Sequence, residues 1–213
     1  MGTARGKAAR LSAGIAALAA WSGLALQYWL LAGSFAEQGQ SAFAAAWRFL
    51  GYFTIVTNLA VAIVATGMAL RPASRIAAPR VRLAAAAAIA LVGIVYSLAL
   101  RHVWNPTGAQ AGADHLLHDA SPLLFLLAWA LAGHGRLQWR DAWWALPLPG
   151  LYFLYGMARG AMEGWYAYWF LDPASLPAML FAGNIVLLLA ACGAIGTLLV
   201  AVDRRLGRGP DGR

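Results

Sequence analysis

The chain has 213 residues, of which 62% are hydrophobic and only 11% are charged. Soluble domains average about 25% charged residues, so this composition argues against a water-soluble globule and against the disordered and fibrous classes. The formal net charge of +8 is typical of a polytopic membrane protein, whose cytoplasmic loops collect Lys and Arg, and we therefore expect no nucleic-acid partner.

Six hydrophobic runs follow one another along the chain. They cover residues 11–35, 49–70, 83–100, 115–132, 143–157 and 176–202. A spanning helix needs about 20 apolar residues, and helices satisfy their own backbone hydrogen bonds in lipid. The first run is too long for a cleaved signal peptide, so we interpret it as an anchor helix. The sequence therefore predicts an all-α membrane protein built as a six-transmembrane-helix bundle.

The basic residues predict the orientation of this bundle. Six spans place both termini on one side, and thirteen of the sixteen Lys and Arg fall on that side. The opposite side has only Arg48, Arg101 and Arg159. The positive-inside rule then predicts an N-in, C-in protein with cytoplasmic basic ends at residues 1–10 and 203–213. Long helical spans favour a bacterial inner or plasma membrane over an outer membrane.

Polar residues converge near the extracytoplasmic ends of the predicted spans. They are Arg48, Thr54, Thr57, Asn58, Arg101, His102, His115, His118, Asp119, Arg159, Glu163 and Asn184. Polar groups at lipid depth are costly unless they are paired or hydrated, which makes them candidates for a functional site. We expect a polar pocket that opens toward the outer leaflet.

Helical spacing groups some of these residues. His115, His118 and Asp119 stand at positions i, i+3 and i+4, so a regular helix would place all three on one face. Thr54 and Asn58 are one turn apart, and Thr54 would lie roughly 8 Å inside a span that begins near residue 49. A hydroxyl beside an imidazole is the minimum for an activated nucleophile.

Structural roles are the alternative for the same residues. Threonine hydroxyls in membrane helices often bond to the carbonyl four residues earlier, and arginines near helix ends often extend toward lipid headgroups. The spacing of His115 and His118 resembles a metal-ligand pair, but there is no third histidine at a diagnostic spacing. Nucleotide and phosphate-loop motifs are absent from the sequence. We therefore predict no metal and no cofactor.

Three segments resemble a known family. Residues 47–59 (WRFLGYFTIVTNL), 115–122 (HLLHDASP) and 164–172 (GWYAYWFLD) occur in this order in a chain with six predicted spans. They resemble the androgen-induced family of membrane hydrolases, and especially its bacterial branch, labelled Pr6Pr. The resemblance implies an intramembrane threonine hydrolase that cleaves fatty-acid esters of hydroxy fatty acids or similar acyl esters.

The resemblance also implies roles for individual residues. The second histidine of HLLHDASP, His118, matches the family's base, and His115 is its companion. An ungapped match anchored on WRFL places Gly51 where the family's nucleophile stands, and only a shift of three residues makes Thr54 the nucleophile.

The combined hypothesis is a Thr/His-dependent carboxylic ester hydrolase. Thr54 is the candidate nucleophile and His118 the general base, while His115 or Asp119 orients the base. Asn58 or Arg101 is the candidate donor to a developing oxyanion. The expected partner is a membrane lipid or an acyl-chain substrate. The alternative is a non-enzymatic membrane protein that binds lipid or a protein partner.

Overall fold

A computed structural model describes residues 4–208, which form helices and loops without a β-strand. The helices are α1 (Ala4–Glu37), α2 (Ala42–Phe49), α3 (Phe53–Leu70), α4 (Pro79–Val95), α5 (Gly108–His115), α6 (Ser121–Leu131), α7 (Pro147–Glu163) and α8 (Ala178–Gly207). A π-helical turn, Tyr96–Leu100, extends α4, and a second, Leu116–Ala120, joins α5 to α6. Short 3₁₀ turns lie at Arg75–Ala77, Trp139–Ala145 and Trp169–Leu171. The predicted all-α class is confirmed.

Four helical segments are long and apolar enough to cross a membrane. They are Ala4–Glu37, Phe53–Leu70, Pro79–Leu100 and Ala178–Gly207. Their outer surfaces carry large apolar side chains, including Leu18 and Trp29 on α1 and Leu198 on α8. Extended apolar surface of this kind is rare on soluble monomers. The fold is therefore consistent with an integral membrane protein.

Several predicted boundaries differ from the structure. The second run does not form one helix from residue 49, because Phe49 ends α2 and α3 begins at Phe53. Residues 143–145 of the fifth run belong to a 3₁₀ turn, and α7 starts at Pro147, a residue suited to the first helical position. The helical segment that carries the histidines begins at Gly108 rather than at residue 115.

The predicted basic ends are largely part of the flanking helices. Helix α1 begins at Ala4 and α8 continues to Gly207, so the described parts of residues 1–10 and 203–213 are mostly helical. Residues 1–3 and 209–213 of these predicted ends lie outside the described residues.

Helix α4 forms the centre of the bundle and packs against α3, α6 and α8. Its alanine run at residues 85–88 is buried. Side chains this small let neighbouring helices approach closely on more than one face. Helix α1 packs beside α3, where the Trp21 indole donates a hydrogen bond to Thr66 Oγ1 at 3.3 Å.

A buried arginine connects α7 to α2. The Arg159 guanidinium donates to both carboxylate oxygens of Glu163, at 2.9 and 3.0 Å, and to the Trp47 carbonyl at 2.9 Å. Its charge also lies 4.1 Å from the centre of the Trp47 ring. Only 5% of Arg159 is exposed, so the expectation that it extends toward headgroups is wrong. Bidentate pairing with Glu163 makes this burial tolerable.

Gly51 lies at the corner between α2 and α3 and is closely surrounded. Its carbonyl accepts a hydrogen bond from the Tyr152 hydroxyl at 2.7 Å. A Cβ atom at this position would lie 2.8 Å from the Trp165 ring and 2.9 Å from Arg159 Nη1. This corner therefore has no room for a side chain, and its tight packing fixes where α3 begins.

We expect Gly51→Ala to destabilise the protein by about 1–3 kcal/mol, because the added methyl group must displace Trp165 or Arg159. The measurement is the thermal unfolding midpoint in detergent. Gly150→Ala in α7 is the matched control, since nothing lies within 4 Å of a Cβ there. An equal response of the two variants would show that the corner is not tightly packed.

Candidate active site

Thr54 lies in the first turn of α3, directly after the corner at Gly51. It is two residues after Tyr52, the residue that caps this helix without a side-chain hydrogen bond. The predicted depth of roughly 8 Å inside a longer helix is therefore wrong. The first backbone N–H groups of a helix have no helical partners and form the positive end of its dipole. Thr54 consequently stands where negative charge is favoured.

The structure brings Thr54 and His118 together. Thr54 Oγ1 lies 3.2 Å from His118 Nε2, within hydrogen-bond distance. Thr54 is 8% exposed and the His118 side chain 14% exposed. The two residues are 64 positions apart in the chain, and their contact joins α3 to the π turn between α5 and α6.

Asp114 determines which nitrogen of His118 carries the proton. His118 Nδ1 lies 3.1 Å from the Asp114 backbone carbonyl and 3.2 Å from its carboxylate Oδ1. Both oxygens only accept hydrogen bonds, so Nδ1 must be the protonated nitrogen. In the neutral imidazole Nε2 is then an acceptor that faces the Thr54 hydroxyl. Thr54, His118 and Asp114 have the hydrogen-bond order of a nucleophile, base and orienting acid.

Tyr96 holds this arrangement from the opposite side. Its ring stacks on His118, with centroids 4.0 Å apart and planes inclined by 14°. Its hydroxyl donates a hydrogen bond to Asp114 Oδ2. The Asp114 carboxylate is only 3% exposed, and hydrogen bonds to both of its oxygens compensate for its burial. The His118 ring therefore has little freedom to rotate.

Both π turns contribute to this contact. Tyr96 begins the turn that extends α4, and His118 lies within the turn that joins α5 to α6. A π turn contains one residue more than a regular turn and often occurs at functional sites. In the second turn Ser121 N–H bonds to the Leu116 carbonyl, five residues earlier, and Pro122 has no N–H to offer. The Leu117 carbonyl is therefore left without a helical donor.

Asn58 supplies the missing donor. Its side-chain Nδ2 donates to the Leu117 carbonyl at 3.1 Å and to the Thr54 carbonyl at 2.9 Å. Asn58 is fully buried. This amide thus connects the turn of Thr54 to the turn of His118, and it has no donor left for an oxyanion.

Tyr168, from the loop before α8, also lies beside Thr54. Its hydroxyl lies 3.3 Å from the Thr54 backbone nitrogen and 3.5 Å from Thr54 Oγ1. Burial raises the pKa of the Tyr168 phenol above its ordinary value, so the hydroxyl keeps its proton and remains a donor. Tyr168 could therefore donate a hydrogen bond to a group bound at Thr54.

A cavity of about 70 Å³ opens beside Thr54. Thr54, Tyr96 and Tyr168 supply its polar edge, and most of the remaining walls are apolar side chains, such as Leu91 of α4, Phe153 of α7 and Leu188 of α8. Sites of this composition bind molecules that are mostly apolar and have one polar group. An acyl chain with a carbonyl at Thr54 has this chemistry.

The other predicted site residues form a separate cluster. Asp119 pairs with Arg101 and with His115 Nδ1, the latter at 2.8 Å. The side chain of His115 is 66% exposed, and among the described hydrogen bonds neither His115 nor Asp119 pairs with the His118 side chain. His115 and Asp119 pair at the spacing i, i+4, as do Asp114 and His118, so the segment carries two separate pairs. The orienting position predicted for His115 or Asp119 is occupied by Asp114, and Arg101 does not reach Thr54.

Sequence reasoning missed Asp114, Tyr96 and Tyr168. Asp114 stands immediately before the predicted start of the fourth span and is four positions from His118. That spacing, which places two residues on one helix face, was the available signal. Nothing in the sequence places Tyr96 or Tyr168 near Thr54.

Neither a metal-binding arrangement among residues 4–208 nor a similarity to known proteins accounts for the cluster. Within residues 4–208 no group of three or more His, Cys, Asp and Glu side chains is arranged to hold a metal ion. No family model, curated protein or solved structure matches the chain. The resemblance of the three sequence segments therefore stays a prediction, and the argument for function rests on the geometry.

We expect Asn58→Ala to destabilise the protein by about 1–3 kcal/mol, because the Leu117 carbonyl would lose its donor in the core. The measurement is the unfolding midpoint in detergent. Thr57→Val is the matched control, because the Thr57 hydroxyl is buried without a hydrogen-bond partner. The control should unfold at or above the wild-type temperature. If Asn58→Ala also unfolds at or above the wild-type temperature, the Asn58 amide does not connect the two turns.

Proposed function

We propose that the protein is an intramembrane ester hydrolase that uses Thr54 as its nucleophile. One observation carries this proposal: Thr54 Oγ1 lies 3.2 Å from a histidine nitrogen whose opposite ring nitrogen is hydrogen-bonded to Asp114. That arrangement aims the unprotonated nitrogen at the hydroxyl, which is the requirement for a general base.

The first half of the proposed reaction acylates Thr54. As Oγ1 attacks the ester carbonyl carbon, its proton passes to His118 Nε2 and a C–O bond forms. Negative charge develops on the carbonyl oxygen, where the Tyr168 hydroxyl and the N-terminus of α3 stabilise it. His118 then gives the proton to the leaving alkoxide as the original ester C–O bond breaks.

The second half releases the acyl group by hydrolysis. Water attacks the acyl-threonine while His118 accepts one of its protons, and collapse of the intermediate returns that proton to Thr54 Oγ1. The products are a carboxylic acid and an alcohol, and the enzyme regains its initial state. Asp114 acts through His118 by holding Nδ1–H in place.

The substrate in this proposal is a membrane lipid or another acyl ester, including fatty-acid esters of hydroxy fatty acids. The apolar walls of the cavity support an acyl chain, and the polar edge at Thr54 supports a carbonyl group there. The proposal includes membership of the androgen-induced family. Gly51, where an ungapped match expects the nucleophile, has no space for a side chain, which favours Thr54 instead.

The proposal also includes a six-span, N-in and C-in arrangement in a bacterial inner or plasma membrane. The helical segment over residues 108–131 and helix α7 supply the two spans beyond the four most apolar segments. Thr54 would then face the extracytoplasmic leaflet, with most basic residues on the opposite side. The second candidate function is lipid binding without catalysis, which the same apolar cavity favours.

The test of the nucleophile is labelling with a fluorophosphonate, which reacts with activated hydroxyls. We expect Thr54→Val to abolish labelling, because valine has a similar shape but no hydroxyl. Thr57→Val, one turn further along α3, should label as fast as wild type. Mass spectrometry of the labelled peptide identifies the modified residue. A folded wild type that does not react would favour lipid binding over catalysis.

The test of the orienting residue compares two aspartates. Asp114→Asn should slow labelling about a hundredfold or more, because the wrong tautomer of His118 becomes accessible. Asp119→Asn should label within a few-fold of wild type, since Asp119 pairs only with Arg101 and His115. The reverse order of the two rates would restore Asp119 as the orienting group.

A further inference from the structure

A second cavity, of about 50 Å³, lies at the opposite end of the bundle from Thr54. It is bounded by the start of α1, the end of α3, the start of α4 and the residues after α6. Its polar walls are Arg10 and Arg82, and Met68, Pro72 and Ala132 are among its apolar walls. One water needs roughly 10–15 Å³ of such space, so the cavity can hold a group larger than a single water.

Arg82 is half-buried and has one buried donor that forms no hydrogen bond. Its Nη2 donates to the Gly133 carbonyl at 3.0 Å, whereas its Nε is buried without a hydrogen-bond partner. A guanidinium offers five N–H donors in a planar fork. An unpaired buried donor on a charged group is costly, and a bound acceptor would remove that cost.

Arg10 brings a second positive charge to the same space. Its Nε donates to the Ala69 carbonyl at 2.8 Å, so this guanidinium, like that of Arg82, bonds to a neutral oxygen of the protein. None of the residues that line the cavity is acidic. Two positive charges therefore face one small cavity that has no counter-charge in its walls.

The acidic groups at this end of the bundle are bound elsewhere. Asp203 accepts hydrogen bonds from His134 and from the backbone nitrogens of Gly135 and Leu137. Asp141 accepts from Arg80 Nε at 2.8 Å and from the Gln138 backbone nitrogen at 2.9 Å. Asp203 attracts Arg82 electrostatically, but among the described residues neither carboxylate forms an ion pair with Arg10 or Arg82.

We propose that this cavity binds a phosphate group through Arg10 and Arg82. Guanidinium forks bind phosphate oxygens in pairs. The cavity lies where four helices end, and in a membrane protein that is the level of the phospholipid phosphates. The phosphate belongs either to an anionic lipid headgroup or to a soluble ion. This inference is independent of the hydrolase proposal, because none of its residues contacts Thr54 or His118.

The test measures the unfolding temperature of the full chain in detergent as a ligand is titrated. One arm compares phosphatidylglycerol with a diacylglycerol that has the same acyl chains. The other compares inorganic phosphate with chloride at equal ionic strength. A ligand that binds only the folded state raises the unfolding temperature in proportion to its occupancy. We expect phosphatidylglycerol, inorganic phosphate or both to stabilise the protein, and the responding arm identifies the source of the phosphate.

Three variants locate the site. Arg10→Gln and Arg82→Gln should each weaken the phosphate ligand about tenfold, which corresponds to about 1.4 kcal/mol. Arg75→Gln removes the same charge from the connection between α3 and α4 without touching the cavity, and it should bind like wild type. If Arg82→Gln does not fold, the affinity of Arg10→Gln for the phosphate ligand is the deciding measurement. Arg10 lies on the surface, so its substitution should leave the fold intact.

Two results would overturn the proposal. One is the absence of stabilisation by either phosphate ligand. The other is an equal loss of affinity in Arg75→Gln and in the cavity variants, which would indicate general attraction to a basic surface rather than a site.

Discussion

The side-chain amide of Asn58 fixes the position of Thr54 relative to His118 in the candidate site. It connects the first turn of α3 to the Leu117 carbonyl, a group that Pro122 and the π turn leave without a helical donor. Because Asn58 is one turn after Thr54, the same hydrogen bonds fix the height of Thr54 relative to His118. The contact between the Thr54 hydroxyl and the His118 imidazole thus depends on the π turn. The buried Asn58 amide supplies the donor that the Leu117 carbonyl lacks in this turn.

The spacing along this helical segment explains why His118 and Asp119 have different partners. Asp114 and His118 are four positions apart, and so are His115 and Asp119, which is the spacing of side chains on one helix face. The sequence prediction treated His115, His118 and Asp119 as one set. In the structure His118 contacts Thr54 and Asp114, whereas Asp119 pairs with His115.

The sequence was sufficient for the helical class and for part of the site. The lengths of the apolar runs predicted helices. The polar residues within the predicted spans indicated Thr54, Asn58 and His118 as candidate site residues. The remaining partners could not be predicted for two reasons. Tyr168 reaches Thr54 from 114 positions away, which only the folded arrangement of helices determines. Tyr96 is an aromatic residue in an apolar run, where the expected role is packing.

The partners of polar residues at the end of the bundle opposite Thr54 could not be predicted from the sequence either. His134 follows the fourth predicted span, yet its side chain is only 3% exposed. Both ring nitrogens are used: Nδ1 lies 2.9 Å from an Asp203 carboxylate oxygen, and Nε2 lies 2.9 Å from the Ala130 carbonyl. Asp203 belongs to the predicted tail, so only the return of α8 to this end brings the two together.

The buried carboxylate at the Thr54 site supports the proposed hydrolase rather than a role in helix association alone. Hydrogen bonds that only join helices could be made by neutral side chains, without the cost of burying a carboxylate. Asp114 is nonetheless buried, and its hydrogen bonds go to His118 and to Tyr96, which stacks on His118. These groups fix the orientation and tautomer of one imidazole. Lipid binding would not require that control, whereas removing a proton from Thr54 would.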